Sequence, residues 1–131
     1  MDTGNGKVIL CVDDEVTGLS VRKLILESQG YRVFTAENGP DALALFSSET
    51  IHLVILDYAM PGMDGGAVAE KMKHANPDVP IFMLSAYVDL PGETLALVDK
   101  SITKGEPPPV LLEAIAERFA TTKTFVRKQS Q

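Results

Sequence analysis

Short apolar runs alternate with longer amphipathic stretches along this chain. Such alternation is typical of βα units around a parallel sheet, because buried strands are continuously apolar while helices repeat their apolar positions about every 3.6 residues. The pattern predicts an α/β protein with five strands. These strands are expected at residues 7–12, 31–36, 53–56, 81–84 and 100–103.

The polarity of the strands predicts their order in the sheet. The first, third and fourth strands are almost wholly apolar, as expected for strands that helices cover on both faces. The second strand includes Arg32 and Thr35, and the fifth includes Lys100 and Ser101. Placing these two polar strands at the edges suits the order 2-1-3-4-5 of a doubly wound parallel sheet with helices on both faces.

The first helix is predicted between the first two strands. Val21, Leu24, Ile25 and Ser28 share one helical face, which we expect to pack on the sheet. Gly30 follows at a position that suits a left-handed C-terminal cap. The first helix is therefore expected to end just before Gly30.

Four more helices are predicted after the later strands. The second begins near Pro40, the third at Asp64 or Gly65, and the fifth follows the prolines at 107–109. The fourth, over residues 91–98, is expected to be short. The inner-face residues are Ala42, Leu43 and Phe46 in the second helix, Val68 and Met72 in the third, and Leu111, Leu112, Ile115 and Phe119 in the fifth.

The composition is that of a single globular domain. Hydrophobic residues make up 45% of the 131 residues and charged residues 23%, a balance that supports one sizeable core. Residues 7–119 are expected to form the domain, with a disordered N-terminus at 1–6 and a tail or linker stub at 120–131. The single cysteine, Cys11, is expected to be a buried packing residue.

The charge and hydropathy argue against several classes of function. A formal net charge of -6 disfavours a general nucleic-acid or anionic-membrane surface, since both depend on clustered Lys and Arg. No apolar stretch reaches the roughly 18 residues needed to cross a bilayer, and the N-terminus lacks a signal-peptide core. The expected location is the cytoplasm, with no membrane partner.

Two of the apolar runs end in acidic residues. Asp13, Asp14 and Glu15 follow the first strand, and Asp57 follows the third. In the predicted strand order these two strands are neighbours at the topological switch point, where ligands bind in open α/β sheets. Carboxylates this close together require a positive partner, either a divalent cation or a lysine.

Four motifs stand at the ends of the predicted strands. They are Val12-Asp13-Asp14-Glu15, the segment from Leu56-Asp57-Tyr58 to Met63-Asp64-Gly65, Leu84-Ser85-Ala86, and Thr103-Lys104. These motifs resemble those of bacterial response-regulator receiver domains, and the resemblance covers residues 7 to about 119. It implies a flavodoxin-like fold and a role in two-component signalling.

The resemblance implies that Asp57 accepts a phosphoryl group from a sensor histidine kinase or a histidine phosphotransfer protein. A carboxylate is a competent nucleophile for this step, but two anions must approach each other, so the step needs electrostatic help. The implied cofactor is Mg²⁺, with direct ligands from Asp14, Asp57 and the backbone carbonyl of Ala59. Asp13 would act through bound water.

Two further residues complete the implied switch. Lys104 would pair with a phosphoryl oxygen, and with Asp57 when no phosphate is present. The hydroxyl group of Ser85 would move to donate a hydrogen bond to the phosphoryl group. The resemblance implies a switch that promotes its own phosphorylation and dephosphorylation, rather than an enzyme.

The chain departs from the family pattern at several positions. Ser101 replaces the usual aromatic residue three positions before the lysine, so one half of the usual switch is absent. Gly105 replaces the usual proline after Lys104. Ala59 and Tyr87 stand at positions that influence how water reaches the phosphoryl group in this family, and they predict slow self-dephosphorylation.

The expected output is contact with an unknown downstream protein, without direct DNA binding. A homodimer through the surface of helix 4, strand 5 and helix 5 is a possible assembly. Two alternatives remain at the sequence level. One is a pseudo-receiver that binds partners without phosphorylation, and the other is a phosphatase of the haloacid dehalogenase type, which would need an aspartate where this chain has Ala59.

Overall fold

The computed structural model of the protein describes residues 6–86 and 89–129, with side-chain surroundings described up to residue 120. In this part of the chain, five parallel strands form one sheet in the order β2-β1-β3-β4-β5. This confirms the predicted α/β class and strand order. The strands are β1 Val8–Val12, β2 Arg32–Ala36, β3 Leu53–Asp57, β4 Ile81–Ser85 and β5 Lys100–Thr103.

Helices follow the strands and cover both faces of the sheet. Asn38 caps α2 by accepting a hydrogen bond from the Asp41 backbone N–H at 2.8 Å, and Asp64 caps α3 by accepting one from the Ala67 N–H at 2.9 Å. The helices are α1 Val16–Ser28, α2 Gly39–Ser48, α3 Gly65–Ala75, α4 Gly92–Leu97 and α5 Pro108–Gln129.

The sheet separates two apolar layers. Alternate residues of β1 and β3 point to opposite faces, and both faces are buried, which explains why these strands are almost wholly apolar. Leu10 and Leu56 lie in the layer that includes Met72 of α3. Ile9 and Ile55 lie in the layer that includes α1 and α5 residues. Cutting back such a buried Leu or Ile to Ala costs about 2–5 kcal/mol.

The predicted inner face of α1 is wrong. Leu19 and Leu26 are the buried residues of α1, whereas Val21 is 51% exposed and Leu24 is 67% exposed. Leu19, Arg22 and Leu26 are spaced three and four residues apart and therefore share a face. Because a charged residue lies on that inner face, the apolar pattern indicated the wrong side of the helix.

The last helix and the predicted domain end at different residues. Helix α5 continues to Gln129, beyond the predicted end of the domain at 119. The division into a domain at 7–119 and a tail at 120–131 stays a prediction, and residues 1–5 lie outside the described residues. Within the described ranges, none of the helices combines the length and the apolar character needed to cross a membrane.

Candidate functional site

The acidic residues meet at the carboxyl ends of β1 and β3. These strands pair in parallel with Val12 opposite Leu56, so the next residues, Asp13 and Asp57, lie side by side. Carboxylate oxygens of Asp13, Asp14 and Asp57 all lie within 4.8 Å of one another. The structure thus brings together the three carboxylates that the sequence placed at the switch point of the sheet.

Asp57 is a buried carboxylate that is costly to ionise. Only 3% of its surface is exposed. Burial raises the pKa of Asp57 to about 6; the hydrogen bond from Lys104 opposes this rise, and the charges of Asp13 and Asp14 add to it. A positive charge that enters this cluster would therefore stabilise the ionised, nucleophilic form of Asp57.

Asp13 is fully buried but well paired. Its Oδ1 accepts a hydrogen bond from the Glu15 backbone N–H at 2.9 Å. Its Oδ2 lies 3.1 Å from Lys104 Nζ and 3.3 Å from an Arg22 guanidinium nitrogen. Burial alone would raise the pKa of Asp13, but these three donors together hold it below its ordinary value. Asp13 therefore stays ionised in the folded protein.

Lys104 links the two buried carboxylates. Its Nζ lies 3.0 Å from Asp57 Oδ1 as well as 3.1 Å from Asp13 Oδ2. Burial opposes the charge of Lys104, yet its hydrogen bonds to Asp57 and Asp13 raise its pKa above the usual value. Its backbone N–H donates to the Ser85 carbonyl at 2.8 Å, which places Lys104 directly beyond β5. Lys104 and Asp57 are thus in direct contact, and the role of this pair in a switch stays a prediction.

Ser85 ends the strand that lies between β3 and β5. It is 2% exposed, and its register partner on β5 is Thr103. Leu84, the residue before it, pairs with Asp57 on β3. Ser85 therefore lies one residue beyond Leu84, the register partner of Asp57. It pairs with Thr103, the residue just before Lys104.

The start of α3 packs directly on the backbone of the site. A Cβ atom at Gly65 would lie 2.5 Å from the Asp57 carbonyl oxygen and 2.8 Å from Tyr58 Cα. The Gly65 N–H donates to the Tyr58 carbonyl at 2.7 Å. Glycine is therefore required at this position because any side chain would push α3 away from the strand that carries Asp57.

The remaining candidates are Ala59, Ser101 and Tyr87, together with the peptide bond between Lys104 and Gly105. Ala59 is exposed two residues after β3. Ser101 is exposed on β5, where its register partner is Met83. Tyr87 lies outside the described residues. All peptide bonds in the described part of the chain are trans, including the one between Lys104 and Gly105.

Two residues were missed or misjudged at the sequence level. Arg22 contacts Asp13, although the sequence offered only its spacing from Leu19 and Leu26 as a signal. His52 was also missed at the sequence level: its Nδ1 accepts a hydrogen bond from the Val8 backbone N–H at 2.9 Å. His52 thus anchors the start of β1, far along the strand from the acidic cluster.

The donor set suits Mg²⁺. Hard divalent cations prefer carboxylate and carbonyl oxygens, and three carboxylates converge here. Two of them are buried, so an added cation would relieve a repulsion that water screens poorly. The residues present fit a magnesium ion.

Residues 9–116 match the family model described as the response regulator receiver domain. The match covers most of the chain, and the fold and the acidic site agree with it. The chain belongs to the response regulator receiver domain family of two-component systems. Receiver domains are signalling switches, which agrees with the sequence-based interpretation.

Solved receiver structures share the fold. A CheY-like response regulator receiver domain protein from Methanospirillum hungatei is 31% identical, with a TM-score of 0.84, covering 91% of this chain and 98% of that one. The response regulator TrrA of Thermotoga maritima, solved in complex with Mg²⁺-BeF, is 36% identical with a TM-score of 0.78, covering 85% of this chain and 97% of that one.

Curated relatives are longer proteins. The probable transcriptional regulator ycf27 of Cyanophora paradoxa is 41% identical over 86 residues, which are 66% of this chain and 36% of that protein. The transcriptional regulatory protein ZraR of Salmonella typhimurium is 39% identical over 83 residues, which are 63% of this chain and 19% of that protein. The chain thus spans about a third or less of these relatives.

These relatives correct one sequence-based expectation. The partner prediction, an output through protein contact without direct DNA binding, was wrong, because relatives sharing this domain are named as transcriptional regulators. The physical reason is that net charge describes only the domain that carries it. A net charge of -6 on the receiver is no guide to the surface through which such a regulator acts on DNA.

Proposed function

We propose that this receiver domain accepts a phosphoryl group on Asp57 with the help of Mg²⁺ and uses the modification as a switch. The observation that carries the proposal is the position of Lys104, which pairs with both Asp57 and Asp13 at the acidic cluster. A buried nucleophile, a cation beside it and a cation-binding set of acids are the parts that phosphoryl transfer to a carboxylate needs.

The transfer forms one bond and breaks one. An Oδ atom of Asp57 attacks the phosphorus of a phosphohistidine, carried by a sensor kinase or a histidine phosphotransfer protein. The P–N bond breaks, its electron pair returns to the imidazole nitrogen, and the product on this chain is an aspartyl phosphate. Asp57 must be ionised for this attack, and the Lys104 ammonium favours that form.

The residues of the site divide the work of charge compensation. Asp14, Asp57 and the Ala59 carbonyl would hold Mg²⁺, and Asp13 would orient water bound to it. The ion supplies positive charge to the phosphoryl oxygens when bound. Lys104, already beside Asp57, would pair with one phosphoryl oxygen.

Ser85 is proposed as the sensor of the modified state. Its hydroxyl can donate a hydrogen bond to the new oxygens, and its backbone carbonyl is already bonded to the Lys104 N–H. A movement of Ser85 would therefore shift the ends of β4 and β5 together. Ser101 stands on the edge strand β5 where the family usually has an aromatic residue. We therefore propose that phosphorylation changes the outer surface of the domain without the rotation of an aromatic side chain at position 101.

The likeness to transcriptional regulators suggests the final output. We propose that the phosphorylated state controls transcription in the whole protein, as the names of ycf27 and ZraR indicate for those proteins. A cytoplasmic location stays a prediction. Two observations favour this proposal over the pseudo-receiver and phosphatase alternatives. Lys104 contacts Asp57, and the chain belongs to the receiver domain family.

Acetyl phosphate tests the proposal without the cognate kinase. Incubated with acetyl phosphate and Mg²⁺, the wild-type protein should gain the mass of one phosphoryl group, and EDTA should prevent the gain. Asp57→Asn should gain nothing. Asp64→Asn is the matched control, since asparagine caps a helix as well as aspartate does. An adduct on Asp57→Asn, or none on the wild type, contradicts the proposal.

A further inference from the structure

Arg22 brings a second cation to the acidic site from helix α1. Its guanidinium nitrogen lies 3.3 Å from Asp13 Oδ2, and only 18% of its side chain is exposed. It shares the inner face of α1 with Leu19 and Leu26, which are both buried in the core. The core contacts of α1 therefore hold Arg22 against Asp13.

Arg22 and Lys104 compensate the same oxygen. Oδ2 of Asp13 receives both cations, while its Oδ1 receives the Glu15 N–H. Lys104 is shared, because the same Nζ also contacts Asp57. Arg22 forms its ion pair with Asp13. Lys104 can therefore move away from Asp13 toward Asp57 while Arg22 stays in place.

A phosphoryl group on Asp57 would draw Lys104 toward its oxygens. A fully buried carboxylate that loses its counter-charge strongly destabilises the folded protein. With Arg22 in place, Asp13 keeps a cation when Lys104 turns away. The pair therefore permits a movement of Lys104 that a single cation would oppose.

The same charge affects the binding of a metal ion. Asp13, Asp14 and Asp57 contribute three negative charges, and Lys104 balances one of them. Arg22 balances a second, which reduces the attraction for a divalent cation. A site with Arg22 should bind Mg²⁺ more weakly than the same site without it.

We propose that Arg22 is a positioning residue that serves as the standing counter-charge of Asp13, frees Lys104 for the phosphoryl group, and lowers the Mg²⁺ affinity of the site. This inference rests on the proposed function of Asp57. It assigns α1 a part in setting the response of the switch to Mg²⁺.

Titration calorimetry with Mg²⁺ tests the affinity. Arg22→Gln should bind Mg²⁺ about three- to tenfold more tightly than the wild type, as expected for removal of one nearby positive charge. Arg22→Lys keeps the charge and should stay within about twofold of the wild type. Lys23→Gln is the matched control, since it removes the same charge from the next position of α1 and should also stay within about twofold. Arg22→Gln binding no more tightly than Lys23→Gln overturns the proposal.

Thermal unfolding in EDTA tests the shared compensation of Asp13. Arg22→Gln and Lys104→Gln should each leave Asp13 with one cation, and the double variant should leave it with neither. The melting temperature of the double variant should fall by about 4–8 °C more than the sum of the single losses. Additive losses contradict the role of Arg22 as a second counter-charge.

The two proposals fail in different ways. If the wild type takes no phosphoryl group from acetyl phosphate with Mg²⁺, the function of Asp57 fails and this inference fails with it. If the wild type is phosphorylated while Arg22→Gln matches Lys23→Gln in Mg²⁺ affinity, the inference about Arg22 alone is overturned.

Discussion

The Nζ atom of Lys104 lies 3.0 Å from Oδ1 of Asp57. The two residues come from the carboxyl ends of β5 and β3, with β4 between them. The Lys104 N–H bond to the Ser85 carbonyl ties the lysine to the end of β4. Strand pairing therefore places the cation beside the nucleophile before any phosphoryl donor arrives, so that little reorganisation is needed during transfer.

Lys104→Gln should slow phosphorylation of Asp57. Removing a donor aimed at developing charge typically costs on the order of a hundredfold in rate. We expect a loss of that order in the initial rate of phosphorylation by acetyl phosphate, measured by intact mass at fixed Mg²⁺. Lys100→Gln, an exposed lysine on the same strand, should keep the wild-type rate. Equal rates for the two variants would show that Lys104 has no part in the transfer.

Asp57→Asn should stabilise the metal-free protein at neutral pH. Since burial raises the pKa of Asp57 to about 6, the folded protein holds this proton more tightly than the unfolded chain does. The linked stability is present below about pH 4 and is lost as the pH rises through about 6. The substitution should therefore add about 1–3 kcal/mol to the free energy of unfolding at pH 7.5 in EDTA.

Urea denaturation from pH 4 to 7.5 measures this effect. The gain from Asp57→Asn should be largest at pH 7.5 and nearly absent at pH 4. Millimolar Mg²⁺ should narrow the difference, because the ion stabilises the wild-type carboxylates and not the amide. Equal free energies of unfolding for the wild type and Asp57→Asn, in EDTA at pH 7.5, would mean that ionised Asp57 does not destabilise the folded protein.

Gly65→Ala should damage both stability and the site. The new methyl group would lie 2.5 Å from the Asp57 carbonyl oxygen, so α3 or β3 must shift. We expect a loss of about 1–3 kcal/mol in unfolding free energy, together with slower phosphorylation. Gly92→Ala is the matched control, because a Cβ at Gly92, the first residue of α4, meets open space. Equal stability of the two variants in urea denaturation would contradict the close packing of α3 on β3.

Ala59→Asn should shorten the lifetime of the aspartyl phosphate. The methyl side chain of Ala59 cannot orient a water molecule, whereas an amide can both donate and accept a hydrogen bond. We expect the decay rate to rise on the order of tenfold, about 1.4 kcal/mol in the barrier. The lifetime is followed by intact mass after removal of acetyl phosphate. An unchanged lifetime would exclude Ala59 as a determinant of dephosphorylation.

The fold was predictable because local signals agreed with one another. Strands covered on both faces, such as those with Leu10 and Leu56, must be apolar throughout, and the polar residues of β2 and β5 indicated the two edges. Pro40 and Asp64 marked the starts of α2 and α3 within a residue. These features depend on short stretches of sequence, so they can be predicted from one sequence alone.

The site was predictable only where strand ends bring residues together. Asp13 and Asp57 follow neighbouring strands, so their meeting follows from topology. Arg22 lies about two turns into α1, so its contact with Asp13 does not follow from the strand order. Because Arg22 is charged, the buried face of α1 did not look apolar in the sequence, and the wrong face was predicted. Long side chains that pair with buried charge break the apolar pattern that defines a helix face.

The identity of the phosphorylated residue decides whether Asp57 is the phosphoacceptor. After treatment with acetyl phosphate and Mg²⁺, borohydride reduces an aspartyl phosphate to homoserine, which peptide mass spectrometry locates along the chain. We expect homoserine at position 57 in the wild type, and none when Mg²⁺ is withheld. Homoserine at another acidic position, or an unmodified Asp57 in the wild type treated with acetyl phosphate and Mg²⁺, would contradict the proposed function.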